Sequence, residues 1–191
     1  GMNYAPQGKP SPVVKPGEFT FAAAHLDHGH IYGQCNGLLE AGAQLKWVYD
    51  PDPKKGDDLR AKYPQARVAR SLDEILADQA VKLVAAAAVP CERSALGARV
   101  LEAGKDYFTD KAPFTTLEQL SQAKAVVART RRKYAVYYSE RLHVESAMFA
   151  TDLVQGGAIG RVIQVIGLGP HRIGPKANRP AWFFEKARYG G

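Results

Sequence analysis

Short apolar runs alternate along this chain with segments whose apolar positions recur at helical spacing. Residues 19–26, FTFAAAHL, read as a buried strand, and residues 31–40 as a helix stopped at Ala41-Gly42. AQLKWVYD (43–50) predicts a second strand, and DPKKGDDLRAKYP (52–64) a polar helix closed by Pro64. ARVA (66–69) predicts a brief third strand. SLDEILAD (71–78) predicts a helix, with Ser71 as N-cap and Glu74 completing a capping box. VKLVAAAAVP (81–90) is continuously apolar, as a strand buried on both faces should be. A helix over 91–104, a strand DYFTD (106–110), the longest helix (115–131) and a sixth strand KYAVYYSE (133–140) complete the alternation.

Strands separated by helical segments predict an α/β fold, a doubly wound parallel sheet of Rossmann type covered on both faces. Residues 1–18, rich in proline, predict an extended tail, so the sheet domain spans 19–141. After Glu140 the pattern changes. A further helix (143–160), a long strand RVIQVIGLGP (161–170) and an aromatic loop segment predict the beginning of a second, α+β domain over 142–191. A lone strand and the aromatic residues Trp182, Phe183, Phe184 and Tyr189 have no core of their own in this reading. Association through that strand, as a homo-oligomer, is therefore expected.

The 191 residues are 46% hydrophobic, enough for one good core and the start of a second. The formal net charge is +7, but the basic residues are scattered, with one block at RTRRK (129–133) that reads as a solvated helix end. No basic and aromatic stripe suited to nucleic acid is present. Two distant cysteines, Cys35 and Cys91, predict a reducing, cytoplasmic setting with free thiols. No apolar run approaches the roughly 18 residues that would span a bilayer.

In open α/β sheets ligands sit beyond the carboxyl ends of the strands, where strand order reverses. The turn after the first strand is HLDHGH, residues 25–30, in place of the glycine fingerprint G-x-G-x-x-G. His25, Asp27, His28, Gly29 and His30 are the candidates there, since imidazole N–H groups beside a helix start can serve phosphate or carboxylate. Asp50 closes the second strand, roughly 20 residues beyond the turn, where a carboxylate accepts from an adenosine ribose and repels a 2′-phosphate. That favours NAD over NADP; a plain Asp-Pro turn is the competing account. The histidines and Asp27 also have the ligand types of a zinc site. Their H-x-x-H-x-H spacing is not the helical H-E-x-x-H, however, and no later cluster visibly completes a shell, so no metal is assigned.

Several motifs together resemble the N-terminal half of the glucose–fructose oxidoreductase / inositol dehydrogenase (Gfo/Idh/MocA) family. AAAAVPCERS (85–94) resembles the family's T-P-N-x-x-H segment, with Pro90 on its proline, Cys91 on its asparagine and Ser94 on its histidine. LEAGKDYFTDKAP (101–113) resembles LEAGKHVLCEKP, placing Lys111 on the family lysine and Asp110 on its glutamate. YYSERLHVES lies where the family has its loop near nicotinamide and substrate, and GAIGRVIQV resembles the first strand of its second domain. WFFEKARYGG resembles the run into the catalytic segment G-G-x-x-x-D-x-G-x-H, which would begin at Gly190-Gly191. The chain is thus expected to carry the cofactor-binding part without the catalytic Asp/His motif, and to be nearly inactive alone.

The resemblance implies hydride transfer between NAD and a sugar, cyclitol or related alcohol. It implies a cofactor lined by Val89, Pro90, Asp110 and Lys111 as well as the turn residues. Lys111 is the catalytic candidate, bonding a substrate hydroxyl or tuning a proton acceptor; His143 and Glu145 are possible relays. A non-catalytic nucleotide-binding module and a metal-dependent lyase or hydrolase using HLDHGH are the alternatives.

Overall fold

The computed structural model describes residues 11–142, 144–168 and 179–190. The strands are β1 (Thr20–Ala24), β2 (Gln44–Tyr49), β3 (Arg67–Val68), β4 (Val81–Ala86), β5 (Asp106–Asp110) and β6 (Tyr134–Tyr137). They form one sheet in the order β3-β2-β1-β4-β5-β6, every pair parallel. Between them run α1 (His30–Glu40), α2 (Pro53–Lys62), α3 (Leu72–Ala77), α4 (Arg93–Glu102) and α5 (Leu117–Thr130). This is the expected doubly wound fold, and strand order reverses between β1 and β4.

The period of two along a strand explains the alanine-rich runs. Ala22 and Ala24 of β1, with Val84 and Ala86 of β4, join the core on one face, while Phe21, Ala23 and Ala85 join the core on the other. Small side chains in the central strands let helices on both faces approach closely. Gly97 of α4 does the same from the helix side, since a Cβ there would stand 2.7 Å from the rings of Tyr107 and Tyr134.

Helix starts follow local chemistry. Asp52 accepts the backbone N–H of Lys54 at 3.0 Å, Ser71 that of Glu74 at 3.2 Å, and Thr116 that of Gln119 at 3.2 Å. The expected capping box at Ser71 is half formed, because the Glu74 carboxylate reaches the N–H of Arg70 instead.

Asp78, at the end of α3, ties β2 to this face of the sheet. It accepts from Trp47 Nε1 and Lys46 Nζ, both at 2.6 Å, and from the N–H of Ala80 at 3.0 Å. The Lys46 and Trp47 bonds hold its carboxyl at about 2. A depressed folded pKa stabilises above the unfolded value of about 3.9 and loses that contribution as pH falls toward the folded value. Solvent reaches part of the group, so we expect about 1 kcal/mol rather than the full linkage value. Urea titrations should show wild type and Asp78→Asn differing by that amount at neutral pH and converging as pH falls from about 4 toward 2; a gap independent of pH would refute it.

After β6 the structure departs from expectation. The sixth strand ends at Tyr137 and gives way to a short helix α6 (Ser139–Leu142), followed by α7 (Glu145–Gln155), which is shorter than the predicted 143–160. His143 lies outside the described residues. The predicted strand at 161–170 is not formed over 161–168, its described part; Ile163 and Leu168 are 86% and 91% exposed. A strand exists only where a neighbour receives its N–H and C=O groups, and the described residues offer that segment none. The aromatic segment behaves oppositely to expectation. Residues 179–190, which include α8 (Lys186–Tyr189), fold against the loop after β4, and Trp182 is 6% exposed. No described helix is long and apolar enough to cross a membrane.

Candidate functional site

The reversal of strand order leaves a crevice beyond the carboxyl ends of β1, β4 and β5, and the turn after β1 forms its floor. His25 adopts φ 54°, the left-handed region where a fingerprint glycine is ordinarily needed. Its N–H donates to Tyr49 O and its carbonyl accepts from Ala87, both at 3.0 Å, which locks the turn to β2 and β4. Burial lowers the His25 pKa against the opposing pull of Asp50 and Asp27, so its imidazole is neutral at physiological pH.

Asp50, buried at the end of β2, accepts the N–H of Leu26 at 2.6 Å and that of Asp52 at 2.9 Å. These bonds draw the turn to the strand end and leave one lone-pair site on each oxygen. Asp27 turns to α2, where it pairs with Lys55 at 2.6 Å; Lys55 stands 3.9 Å from Asp50. Gly29 begins α1, and a Cβ there would meet nothing within 4 Å. Among the described residues the backbone N–H groups of Asp27, His28 and Gly29 meet no acceptor. Free N–H groups at a helix start beside a strand-end carboxylate fit a dinucleotide's pyrophosphate and ribose.

The other wall is built around Asp110, the last residue of β5. Its Oδ1 accepts the Lys111 N–H at 2.8 Å and stands 2.8 Å from His30 Nδ1. Its Oδ2 lies 3.0 Å from the Arg93 guanidinium and 3.2 Å from His28 Nδ1. Burial alone would raise this carboxyl's pKa, but the His28 and His30 bonds and the Arg93 charge outweigh it, holding the group well below the carboxylate range. Arg93 is 1% exposed and spends its other donors on the carbonyls of Ala88 at 2.7 Å and Ala112 at 3.1 Å. It thereby joins the β4 and β5 loops through one side chain. The rings of His28 and His30 meet edge to face at 4.1 Å, and Phe183 lies 5.9 Å from His28. Trp182, Phe183 and Tyr189 stack on one another, closing the far side of a cavity of about 180 Å³.

That cavity takes in His28, His30, Pro90, Asp110 and Lys111 of the sequence-derived set. Asp50, Asp27, His25 and Gly29 lie instead along the β1–β2 side of the turn, and Val89 is buried behind the loop. Ser94 and Cys91, aligned with family positions, are tied to α5 instead: Ser94 Oγ donates to Gln119 O at 3.3 Å, and the Cys91 backbone carbonyl accepts from the Gln119 amide. Sequence reasoning missed Arg93. The available signal was its place on the apolar stripe of α4, in register with Leu96, Gly97 and Val100.

A parallel sheet whose strand order reverses beside an open helix start and a strand-end aspartate has the architecture of a dinucleotide-binding domain. The sequence pattern of the oxidoreductase family with an NAD-binding Rossmann fold (Gfo/Idh/MocA) matches residues 22–138, and this chain belongs to that family. NAD is the cofactor of the class. A solved protein of Erwinia carotovora atroseptica SCRI1043, assigned no further than oxidoreductase, is 46% identical with a TM-score of 0.83, over 91% of this chain and 52% of that one. GenD2 from gentamicin A biosynthesis, solved in complex with NAD, is 26% identical with a TM-score of 0.59, over 69% of this chain and 36% of that one. D-xylose dehydrogenase of Paenarthrobacter nicotinovorans is 25% identical over 70% of this chain and 35% of its own length. The chain therefore spans between about a third and a half of these relatives.

Proposed function

We propose that this chain is the cofactor-binding part of an NAD-dependent oxidoreductase acting on a sugar, cyclitol or related alcohol. The observation that carries the proposal is the pairing of two halves of one crevice. Asp50 and three N–H groups without an acceptor among the described residues stand on the β1–β2 side of the turn, and Lys111 and the aromatic wall line the cavity on its other side. NAD, when bound, supplies the hydride chemistry. The chain's own residues position and screen. Asp50 accepts from the adenosine ribose, while the N–H groups of Asp27, His28 and Gly29 donate to the pyrophosphate. His25, His28 and His30 complete the turn. Val89 backs the loop, and Pro90 and Asp110 shape the nicotinamide end. Lys111, at the β5 corner, hydrogen-bonds the substrate hydroxyl, and Trp182 and Phe183 exclude water from the same space.

The name of the D-xylose dehydrogenase relative and the NAD complex of GenD2 support both the cofactor and the polyol class. Residues 142–191 are read as the linking helix and first segment of a second domain. The exposed apolar run through Ile163, Val165, Ile166 and Leu168 supports association with a further strand, in a homo-oligomer.

Two binding measurements test this reading. NADH should bind the protein, and D-xylose or myo-inositol should bind detectably only in its presence, read by saturation-transfer NMR. Lys111→Ala should retain NADH but weaken polyol binding about 10–100-fold, as expected for loss of a hydrogen bond to a charged group. Failure of NADH to bind would refute the proposal; unaltered polyol binding by Lys111→Ala would refute the role of Lys111.

A further inference from the structure

The geometry points to a divalent transition-metal site formed by His28, His30 and Asp110, opening into the cavity beneath Trp182. It does not depend on the oxidoreductase reading. One ligand atom from each side chain lies within 4.8 Å of the others, and the residues come from two separate places, the turn after β1 and the end of β5. The His28 Nδ1 to Asp110 Oδ2 separation is 3.2 Å. Ligand atoms about 2.0–2.1 Å from a tetrahedral ion stand about 3.3 Å apart, so this edge already has the required length. His30 Nδ1 faces the other Asp110 oxygen at 2.8 Å, a hydrogen-bond length, whereas an ion placed among the three side chains would be shared by all of them. His28 Nδ1 is also contested at present. It faces Asp110 as a donor would, yet accepts the His30 N–H at 3.2 Å, and one nitrogen cannot do both.

The outer shell of such a site is in place. Arg93 holds one carboxylate oxygen and the Lys111 N–H the other, fixing Asp110 as outer partners of metal ligands commonly do. The Arg93 charge opposes any dication, so the two imidazoles must supply the affinity; they favour ions that bind imidazole strongly, in the order cobalt, nickel, copper, with zinc close to them, over magnesium and calcium. With three protein ligands a coordination position stays open toward the cavity, suited to water or to a hydroxyl or carboxylate oxygen. The neighbouring trio His25, Asp27 and Glu92 is a poorer candidate, because Lys55 already occupies Asp27 and Glu92 is exposed.

The test uses the whole chain stripped with chelator and titrated with cobalt(II). One ion per chain should bind, with visible d–d absorption of a low-coordinate site. His28→Gln and His30→Gln should each weaken binding more than about 100-fold, beyond the 10–100-fold typical of outer-shell losses. Both imidazoles are part-exposed, so these changes leave the core filled. Asp27→Asn should bind cobalt as wild type does. In the unsubstituted protein, zinc should shift the imidazole resonances of His28 and His30 and spare those of His25. Absence of a saturable visible band overturns the proposal. So does affinity within about threefold of wild type in the His28/His30 double variant, loss of binding in Asp27→Asn, or zinc shifts confined to His25.

Discussion

Arg93→Met is expected to destabilise the folded chain by about 3–5 kcal/mol, the range for removing one partner of a buried ion pair. The reason lies less in the lost attraction than in what remains. Asp110 would keep its charge in a site that is 1% exposed, and the carbonyls of Ala88 and Ala112 would lose their donors. Methionine fills most of the volume, so the effect would not be that of a cavity. The double variant Arg93→Met/Asp110→Asn should be more stable than the sum of the single losses predicts, since the uncompensated charge is gone. Urea denaturation of the four proteins measures this. A cost below about 1 kcal/mol for Arg93→Met would show that Asp110 is held by the two imidazoles and Lys111 alone.

Wild-type protein should bind NADH at least about 100-fold more tightly than NADPH, and Asp50→Ser should largely erase that preference. Asp50 is buried at the strand end and fixed by the N–H groups of Leu26 and Asp52, so it cannot swing away from a 2′-phosphate. Two like charges about 5 Å apart at an effective dielectric of about 20 repel by about 3 kcal/mol, enough for that ratio. In the serine variant the repulsion is gone and Lys55, bonded to Asp27 and now 3.9 Å from Asp50, stays close enough to attract the phosphate, so NADPH should gain while NADH loses a ribose bond. Calorimetry with both cofactors on both proteins decides it. Equal affinities in wild type would mean that Asp50 serves the turn and not the ribose.

The sheet was legible in the sequence because its central strands are buried on both faces. Phe21 to Ala24 and Val84 to Ala86 leave no polar position that a helix or an exposed strand would need. The start of α3 was legible for a local reason: Ser71 bonds the N–H of Glu74, three residues away. Asp50 could be located at a strand end because β2 reads as a strand up to Tyr49. The described part of the predicted strand, 161–168, forms none, since β-propensity describes what a residue would do beside a neighbour and cannot supply the neighbour.

What only the tertiary structure decided is the second half of the crevice. His28 and His30 are separated from Asp110 by some 80 positions, and nothing in HLDHGH or in FTDKAP names the other. Only the parallel pairing of β1 to β4 and β4 to β5 brings the ends of β1 and β5 to one wall. Arg93 is the same case, a cation on an apolar helix stripe whose partner is fixed by the sheet. Trp182, which the sequence leaves without a core, finds one against His28. The sequence by itself determined the backbone frame and the place of Asp50 at the end of β2, because those depend on period and nearest neighbours. Chain crossings determined the charge network and the aromatic wall, because those depend on contacts that no local pattern encodes.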